Sequence, residues 1–386
     1  MATTVATVKL WGKSIGAVSW DDALQVANFE YDPDFQKSAI ELSPFMMPLN
    51  DTIYSFPTLP TESFKGMPGM LADSLPDAFG NTLIDAWLAQ QGRESKSFNP
   101  VERLCYIGNT GMGALEYFPA KGPRATQSNS LNMDALVSLA GEVLSDKNSL
   151  STSFDVEEGS ESIKDILKVG TSAGGARAKA IIAWNPQTQD VRSGQTNNEA
   201  GYSHWILKFD GVKGNKDKEA ADPEGYGLIE YAYYLMAVDA GIHMTESRLL
   251  KENNRAHFMT RRFDRLGTDA KLHMQSLAGL EHFDYKKPGA YSYEQAFQTI
   301  RKLGLTTNTL EQQFKRMAFN IIARNQDDHV KNISFLMAQD GQWRLSPAYD
   351  VTYSYNPDGP WTGQHQMSLN EKHDDFSKSD FEDCGK

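Results

Sequence analysis

The feature that most constrains this 386-residue chain is a carboxylate and an amide five positions apart, Asp327 and Asn332, followed eighteen positions later by a second carboxylate, Asp350. Metal-assisted phosphoryl transfer requires such a set. One carboxylate orients and deprotonates the attacking hydroxyl, while an amide and another carboxylate hold the Mg²⁺ that bridges the nucleotide phosphates. We therefore assign Asp327 as a candidate base and Asn332 with Asp350 as candidate metal ligands. The spacing Asp-x-x-x-x-Asn also occurs by chance in loops, so the assignment depends on the rest of the sequence.

Composition limits the class of protein. The length fits two or three domains, and a hydrophobic content of 40% permits complete cores. The net charge of −12 argues against a protein that coats nucleic acid by itself, because such binding needs clustered Lys and Arg. Contact with DNA through a basic partner stays open.

Two cysteines, Cys105 and Cys384, cannot form a disulfide framework or a zinc cage, which fits a reducing cytoplasm. The first residues lack the cationic start and apolar core of a secretory signal, and no apolar run has the length of a membrane span. We therefore expect a cytoplasmic protein without membrane contact. The eight histidines are scattered, so a bound metal should be held by oxygen atoms, which suits Mg²⁺.

Hydrophobic periodicity predicts a β-first N-terminal region, then strands with one long helix, then a mostly helical region. A glycine-, proline- and serine-containing segment over 122–130 is the best candidate for a linker. The predicted helices are Ala78–Gln91, Met133–Leu144, Glu224–Ala240, Tyr293–Leu303 and Thr309–Arg324. The predicted strands are Val5–Trp11, Ile15–Trp20, Ala114–Phe118, Lys179–Trp184, His204–Phe209, Ala256–Phe263, Ile333–Met337 and Gln342–Leu345.

A glycine-rich segment, Val169–Lys179, precedes one of these strands. Small side chains let the backbone approach an anion closely, and its N–H groups can then cradle phosphates. It is not a Walker A loop, because Ala176 stands where lysine is required. A flexible turn between a helix and a strand is the alternative interpretation.

Lys208 lies within the apolar run Trp205–Phe209. A lysine that points inward from a strand is costly unless it meets an anion, and a strand lysine that reaches nucleotide phosphates is the usual arrangement in kinases. The alternative is an edge-strand lysine that faces water. Glu230, on the next predicted helix, either pairs with Lys208 or lies on a solvated face.

Two further segments are candidates for the nucleotide site. Arg262–Arg265 either connects two lobes where an adenine would dock or forms a charged strand end. His329 and Lys331 lie between Asp327 and Asn332. We interpret His329 as a packing and hydrogen-bonding residue rather than a base, and Asp328 as a solvated neighbour of Asp327.

The elements follow the order of a two-lobed kinase: glycine loop, strand lysine, helix, connecting strand, helical lobe, Asp-x-x-x-x-Asn, hairpin, Asp. A nucleotide has to be gripped between two lobes, so this order favours phosphoryl transfer. We predict an α+β, two-lobed protein-kinase-like fold with an added small N-terminal β-rich domain and a mostly helical C-terminal lobe.

On these motifs the sequence resembles the HipA family of bacterial serine/threonine-protein kinase toxins. The matching segments are Leu71–Asp77 and Gly111–Leu115 in the N-terminal domain, Ser172–Lys179 as the phosphate loop, Arg262–Arg265 as the interlobe segment, and Asp327–Asn332 with Tyr349 and Asp350 as the catalytic and metal motifs. The resemblance implies a HipA-type N-terminal domain over 1–125, a nucleotide-binding N-lobe over 133–265 and a helical catalytic C-lobe over 266–386. Relatives usually continue into further C-terminal helices, so this C-lobe is expected to be shortened.

The resemblance also implies ATP and Mg²⁺, a small helix-turn-helix HipB-type antitoxin through which DNA is bound, and substrates in translation, including aminoacyl-tRNA synthetases. Ser172 occupies the position of the loop serine that is autophosphorylated in the family, which silences the enzyme. The nucleotide-binding residues implied are Gly174, Gly175, Ala176, Arg177, Ala178, Lys179, Lys208, Arg261, Arg262, Phe263, His329 and Lys331.

Two other functions are compatible with the sequence. A catalytically impaired nucleotide-binding module that sequesters the antitoxin is suggested by Arg261, which stands where the family often has an acidic residue beside the adenine. A small-molecule or lipid kinase would share the two-lobed architecture. It ranks last, because the sequence has no lipid-facing amphipathic helix.

Overall fold

The computed structural model describes residues 4–123, 130–145, 177–195, 200–212, 216–217, 220–221, 225–267 and 270–385. Its helices are α1 Pro33–Gln36, α2 Thr61–Phe64, α3 Gly69–Ala72, α4 Ala78–Gln90, α5 Pro100–Ile107, α6 Met133–Ser145, α7 Tyr226–Asp239, α8 Leu277–Glu281, α9 Tyr293–Lys302, α10 Thr307–Ile322 and α11 Lys378–Cys384. Its strands are β1 Val5–Leu10, β2 Lys13–Asp21, β3 Val26–Tyr31, β4 Tyr54–Ser55, β5 Leu115–Phe118, β6 Lys179–Trp184, β7 Val191–Ser193, β8 Ser203–Lys208, β9 Lys216–Asp217, β10 Ala220–Ala221, β11 Ser247–Glu252, β12 Arg255–Arg261, β13 Arg265–Leu266, β14 Ala270–Lys271, β15 His273–Ser276, β16 Tyr291–Ser292, β17 Ser334–Met337, β18 Trp343–Leu345 and β19 Met367–Ser368.

The first sheet is antiparallel, with the strand order β4-β3-β2-β1-β5. Its first two strands form the predicted hairpin. The turn residues Trp11 and Gly12 have φ values of 49° and 80°, which is the conformation that a tight hairpin turn requires. Alternate residues of β1, among them Val8 and Leu10, are buried in one core together with α5. The alternation of apolar and polar residues along β1 therefore arises because one face of the sheet packs on the core.

The second sheet has the order β11-β12-β8-β6-β7, so β8 lies at its centre. All six residues of β6 are buried, and the apolar residues of β6 and β8 share a core with α4 and α6. Phe79 and Leu83 of α4 belong to this second core. Helix α4 precedes the predicted linker in sequence, yet it packs against the second sheet, whose strands follow the linker. The domain bounds stay a prediction.

The remaining lobe is largely helical. Helices α8, α9 and α10 share a core with the small sheet β15-β17-β18, which includes the predicted hairpin β17–β18. The segment between α10 and β17 carries Asp327 and Asn332, and Asp350 follows β18. In the part of the chain that the structure describes, no helix combines the length and apolar character needed to cross a lipid bilayer.

The N-terminal domain makes a very close contact with the helical lobe. A Cβ atom at Gly69 of α3 would lie 2.2 Å from the carbonyl oxygen of Gly279 in α8, so no larger side chain fits there. Beside this contact, Asp73 accepts hydrogen bonds from the backbone N–H and the hydroxyl of Ser276, at 2.6 and 2.7 Å. The two backbones therefore pack directly on each other.

A second contact joins the N-terminal domain to the end of β12. Asp264 is buried, forms ion pairs with Arg262 and Arg265 at 2.8 and 2.7 Å, and accepts the N–H of Gly113 at 2.7 Å. Both arginines also donate to the carbonyl oxygen of Gly111, at 3.0 and 2.7 Å. Burial alone would raise the pKa of Asp264, but the two guanidinium groups hold it well below its ordinary value. Gly111 and Gly113, which precede β5, thus form the docking site for Asp264 and its two arginines.

Helix α7 has the predicted extent but an unexpected orientation. Leu228, Leu235 and Val238, which follow helical spacing, are 49%, 51% and 45% exposed. Its buried face carries Glu230 and the small residue Ala237 instead. The position of Glu230, which needs a cation when buried, therefore decides which side of the helix faces inward.

We predict that acid weakens the fold through two buried histidines. Burial lowers the pKa of His273 to about 3, and burial together with Arg262 and Arg265 lowers that of His204 to about 4. Between these values and about 6.5 the unfolded chain binds more protons, so the free energy of unfolding falls as pH falls, by about 2 kcal/mol per histidine at pH 5. Urea denaturation from pH 7.5 to 5 should show this slope, and His273→Gln should reduce it. An equal slope in both proteins would contradict the assignment.

Candidate active site

The site is built around Lys208, the last residue of the central strand β8. Its ammonium group donates to Glu230 Oε1 of α7 at 2.5 Å and to Asp350 Oδ1 at 2.6 Å. The sequence left two alternatives for Lys208 and for Glu230. Both residues pair, and neither lies on a water-facing surface, since their side chains are only 14% and 3% exposed.

Asp350 is the third member of this cluster. Its backbone has a φ of 51°, in the left-handed region that a non-glycine residue rarely occupies, which turns the side chain back towards β8. Partial burial would raise the pKa of Asp350, but Lys208 and then Lys179 lower it to about 2. Burial would lower the pKa of Lys208, and Asp350 and Glu230 raise it instead. At neutral pH the cluster therefore holds one cation between two anions.

The loop after α10 brings Asp327 and Asn332 together. The amide nitrogen of Asn332 donates to the backbone carbonyl of Asp327 at 2.8 Å, across a short 3₁₀ turn over Val330–Asn332. Asn332 and Asp350 line one cavity, together with His329. Asp327, Asn332 and Asp350 are thus assembled in one region of the molecule.

Asp327 has a hydrogen-bond partner that the sequence did not indicate. The indole N–H of Trp361 donates to Asp327 Oδ1 at 2.6 Å, and His329 Nε2 lies 3.7 Å from the same oxygen. The Asp327 side chain remains 20% exposed. Trp361 thus holds one oxygen of the Asp327 carboxylate in place. No motif connects position 361 with position 327, so only the folded chain reveals this contact.

The interpretation of Asp328 as a solvated residue is wrong. Its carboxylate is buried and accepts hydrogen bonds from the Tyr293 hydroxyl at 2.6 Å, His365 Nδ1 at 2.8 Å and the backbone N–H of Gln366 at 2.8 Å. Three donors compensate a buried carboxylate for the water it loses. Asp328 therefore anchors the loop that carries Asp327 and Asn332 to α9 and to the segment that follows Asp350.

His329 and Lys331 lie beside Tyr285. The ring of His329 packs edge-on against Tyr285 and Trp361, and the ammonium of Lys331 lies 4.7 Å from the centre of the Tyr285 ring. The expected packing role of His329 agrees with these contacts. Contact of either residue with a nucleotide stays a prediction.

The last residues of the predicted phosphate loop, which the structure describes from Arg177 onwards, lie beside Lys208 and Glu230. Arg177 is buried, stacks on the ring of Tyr226 at 3.4 Å and lies 3.9 Å from Glu230 Oε2. Ala178 is buried in the second core, and Lys179 lies 3.3 Å from Asp77 of the N-terminal domain. Ser172, Gly174, Gly175 and Ala176 lie outside the described residues.

The three candidate residues at the end of β12, Arg261, Arg262 and Phe263, make different contacts. Arg261 is exposed, and its backbone N–H donates to the carbonyl of Glu246 at 2.9 Å. Arg262 was expected at the nucleotide, but its guanidinium is buried in the contact with Asp264 and Gly111, which gives it a structural role in domain docking. Phe263 packs against Tyr349 at 5.7 Å, next to Asp350. Of these three residues, Phe263 is the one whose side chain contacts a direct neighbour of Asp350 in the chain.

Two sequence models match this chain. Residues 171–385 match the HipA-like C-terminal domain, and residues 6–118 match the HipA N-terminal domain. The chain belongs to the HipA family. This confirms the resemblance stated from the motifs.

Similar proteins agree with this membership. A HipA chain of Shewanella oneidensis MR-1, solved in complex with HipB and its operator DNA, superposes with a TM-score of 0.68 at 18% identity, over 98% of this chain and 84% of that one. Toxin YjjJ of Escherichia coli is 29% identical over 188 residues, which are 47% of this chain and 38% of that protein. A Haemophilus influenzae protein named "Putative kinase" is 31% identical over 146 residues, which are 33% of this chain and 42% of that protein. The alignments span less than half the length of these last two relatives.

The superposition confirms the predicted fold class. This HipA-family chain has an α+β, two-lobed kinase-like fold with an added N-terminal β-rich domain. Lys208, Glu230 and Asp350 lie where the two lobes meet, since they come from the second sheet, from α7 and from the loop after β18.

The residues present suit a magnesium ion. Asp350 is ionised at neutral pH, and the amide nitrogen of Asn332 is used in its bond to Asp327, which leaves the amide oxygen as a ligand atom. Hard oxygen donors of this kind are what Mg²⁺ selects, with phosphates and water completing its shell. Within the ranges described, no group of three or more His, Cys, Asp and Glu side chains is arranged to hold a metal. The phosphate oxygens of a bound nucleotide, together with water, would therefore have to supply the remaining ligands of the metal.

We predict that Glu230→Gln destabilises this HipA-family protein by about 3 kcal/mol, because a buried cation loses one of its two partners. Urea denaturation at pH 7.5 measures the change. The matched control is Glu246→Gln, whose pair with Arg248 has side chains that are 40% and 49% exposed. That exposed pair should contribute less than about 1 kcal/mol. Equal losses in the two variants would contradict a structural role for the buried cluster.

Proposed function

We propose that this HipA-family protein is an ATP- and Mg²⁺-dependent protein serine/threonine kinase, which acts in the cytoplasm as the toxin of a toxin–antitoxin pair. The observation that supports this most is the buried arrangement of Lys208 between Glu230 and Asp350, next to the loop of Asp327 and Asn332. Kinases need a strand lysine paired with a helix glutamate together with a metal-binding aspartate. All these groups meet between two lobes here.

In the proposed reaction, the carboxylate of Asp327 accepts the proton of a serine or threonine hydroxyl. The hydroxyl oxygen then forms a bond to the γ-phosphorus of ATP, the bond from that phosphorus to the bridging oxygen breaks, and ADP leaves. Lys208 would bind the phosphates, for which its fixed position between two carboxylates prepares it. Asn332 and Asp350 would hold Mg²⁺, which supplies positive charge against the phosphates when bound.

A HipB-type antitoxin with a helix-turn-helix fold is the partner we propose. The Shewanella HipA chain was solved with HipB and operator DNA, and the Escherichia coli relative is named a toxin. The net charge of −12 favours DNA contact through such a partner rather than through this chain. We further propose that the substrate is a component of translation, with aminoacyl-tRNA synthetases as the class to test first.

Asp327→Asn tests the base directly. We expect transfer of labelled phosphate from ATP with Mg²⁺ to proteins of a cytosolic lysate to fall at least about 100-fold, because an amide cannot take the proton. The exposed Asp340→Asn, on the β17–β18 turn, is the matched control and should retain wild-type transfer. Transfer by the Asp327 variant at the wild-type rate would exclude the assignment. A wild-type protein that binds the antitoxin but transfers no phosphate would favour a catalytically impaired module.

Autophosphorylation has its own test. Wild-type protein incubated with ATP and Mg²⁺ should gain one phosphate on the peptide that contains Ser172, as located by mass spectrometry. Ser172→Ala should lose this modification and keep transfer to lysate proteins for longer, because phosphorylation of the loop would silence the enzyme. Phosphate on another residue alone would contradict the role of Ser172.

A further inference from the structure

Asp77 is a buried carboxylate of the N-terminal domain that reaches the nucleotide-binding sheet. Its Oδ1 caps α4 by accepting the N–H of Gly80 at 2.6 Å. Its Oδ2 lies 3.3 Å from the ammonium of Lys179, the first residue of β6. The side chains of both residues are only 4% exposed. Burying such a pair costs desolvation free energy, and capping of α4 alone does not require a charged residue.

The register of the second sheet places Lys179 beside the active-site lysine. Lys179 lies directly opposite Lys208 in the antiparallel pair β6–β8. Side chains of directly opposite residues project from the same face of a sheet and lie close together. Two cations therefore project side by side towards the cleft.

Each lysine has its own carboxylate partners. Lys208 uses Glu230 and Asp350, while the one ion pair of Lys179 among the described residues is with Asp77. Asp77 depends on Lys179 in turn. Burial raises the pKa of Asp77, and Lys179 is the strongest influence that opposes this rise. Without this pair, a lysine next to a second lysine would be repelled from its position.

We infer that Asp77 is a positioning residue of the nucleotide site: the N-terminal domain holds Lys179 beside Lys208, so that the two ammonium groups bind the phosphates of ATP together. The inference rests on the proposed function. It makes the contact of the N-terminal domain with Lys179 a condition for full affinity for the nucleotide.

The experiment measures the Kd of ATP with Mg²⁺ by calorimetry on the full chain. Asp77→Asn keeps a good helix cap, because asparagine caps as well as aspartate, and removes only the negative charge. We expect its Kd to rise about tenfold, since one of two phosphate-binding cations loses its anchor. The matched control is Glu116→Gln, which removes another N-terminal carboxylate that pairs with a lysine, Lys271 at 2.8 Å, remote from Lys179 in the first sheet. Its Kd should stay within about twofold of wild type.

A double-mutant cycle separates positioning from a general effect on the fold. In a Lys179→Met background, Asp77→Asn should change the Kd for ATP by less than about twofold, because the residue it acts through is gone. A purely structural role of Asp77 would lower affinity equally in both backgrounds, which would overturn the inference. If Asp77→Asn does not fold, Lys179→Met alone decides, and an unchanged Kd for ATP overturns the inference.

Different results would overturn the proposed function and the inference about Asp77. Absence of ATP binding by the wild-type protein overturns both the proposed function and this inference. Normal binding and phosphate transfer by wild type, with the same Kd in Asp77→Asn as in Glu116→Gln, overturns the inference alone.

Discussion

Burial of the Lys208 ammonium at the end of an apolar strand is the constraint on which the candidate active site depends. A buried cation is stable only if anions reach it, and here they come from two separate elements, Glu230 on α7 and Asp350 after β18. One interaction therefore fixes a helix against the second sheet and joins that sheet to the loop of the helical lobe. It also explains the orientation of α7, which turns Glu230 inward although Leu228 and Leu235 then face outward.

Three contacts make the N-terminal domain a structural part of the kinase-like body. The backbones of α3 and α8 meet at Gly69 and Gly279, the cluster around Asp264 receives the turn at Gly111, and Asp77 reaches Lys179. Two of these contacts contain buried charges, which are stable only while their partners are present. Through Asp77, the N-terminal domain places a carboxylate next to Lys179, which lies opposite Lys208 in the second sheet.

Local sequence signals predicted most of the architecture. Hydrophobic periodicity predicted the hairpin of β1 and β2, the helices α4, α9 and α10, and the hairpin of β17 and β18, with shifts of a few residues. The catalytic role of the loop with Asp327 and Asn332 stays a prediction. The strands β3, β11 and β15 were missed, because short segments without a clear alternation carry little local information. The partners of Asp328, Asp327 and Lys179 were missed for another reason. Tyr293, Trp361 and Asp77 lie 34 to 102 positions away from them, and no rule of spacing connects residues that only folding brings together.

The shared position of α4 bears on how such proteins evolve. Phe79 and Leu83 fill the core beneath β6 and β8, although α4 comes before the linker in chain order. A recombination event that exchanged the first 125 residues between relatives would therefore also replace part of the hydrophobic interior beneath β6 and β8. Chimeras should be viable only where the incoming helix matches the recipient sheet in shape, which ties the inheritance of the two regions together.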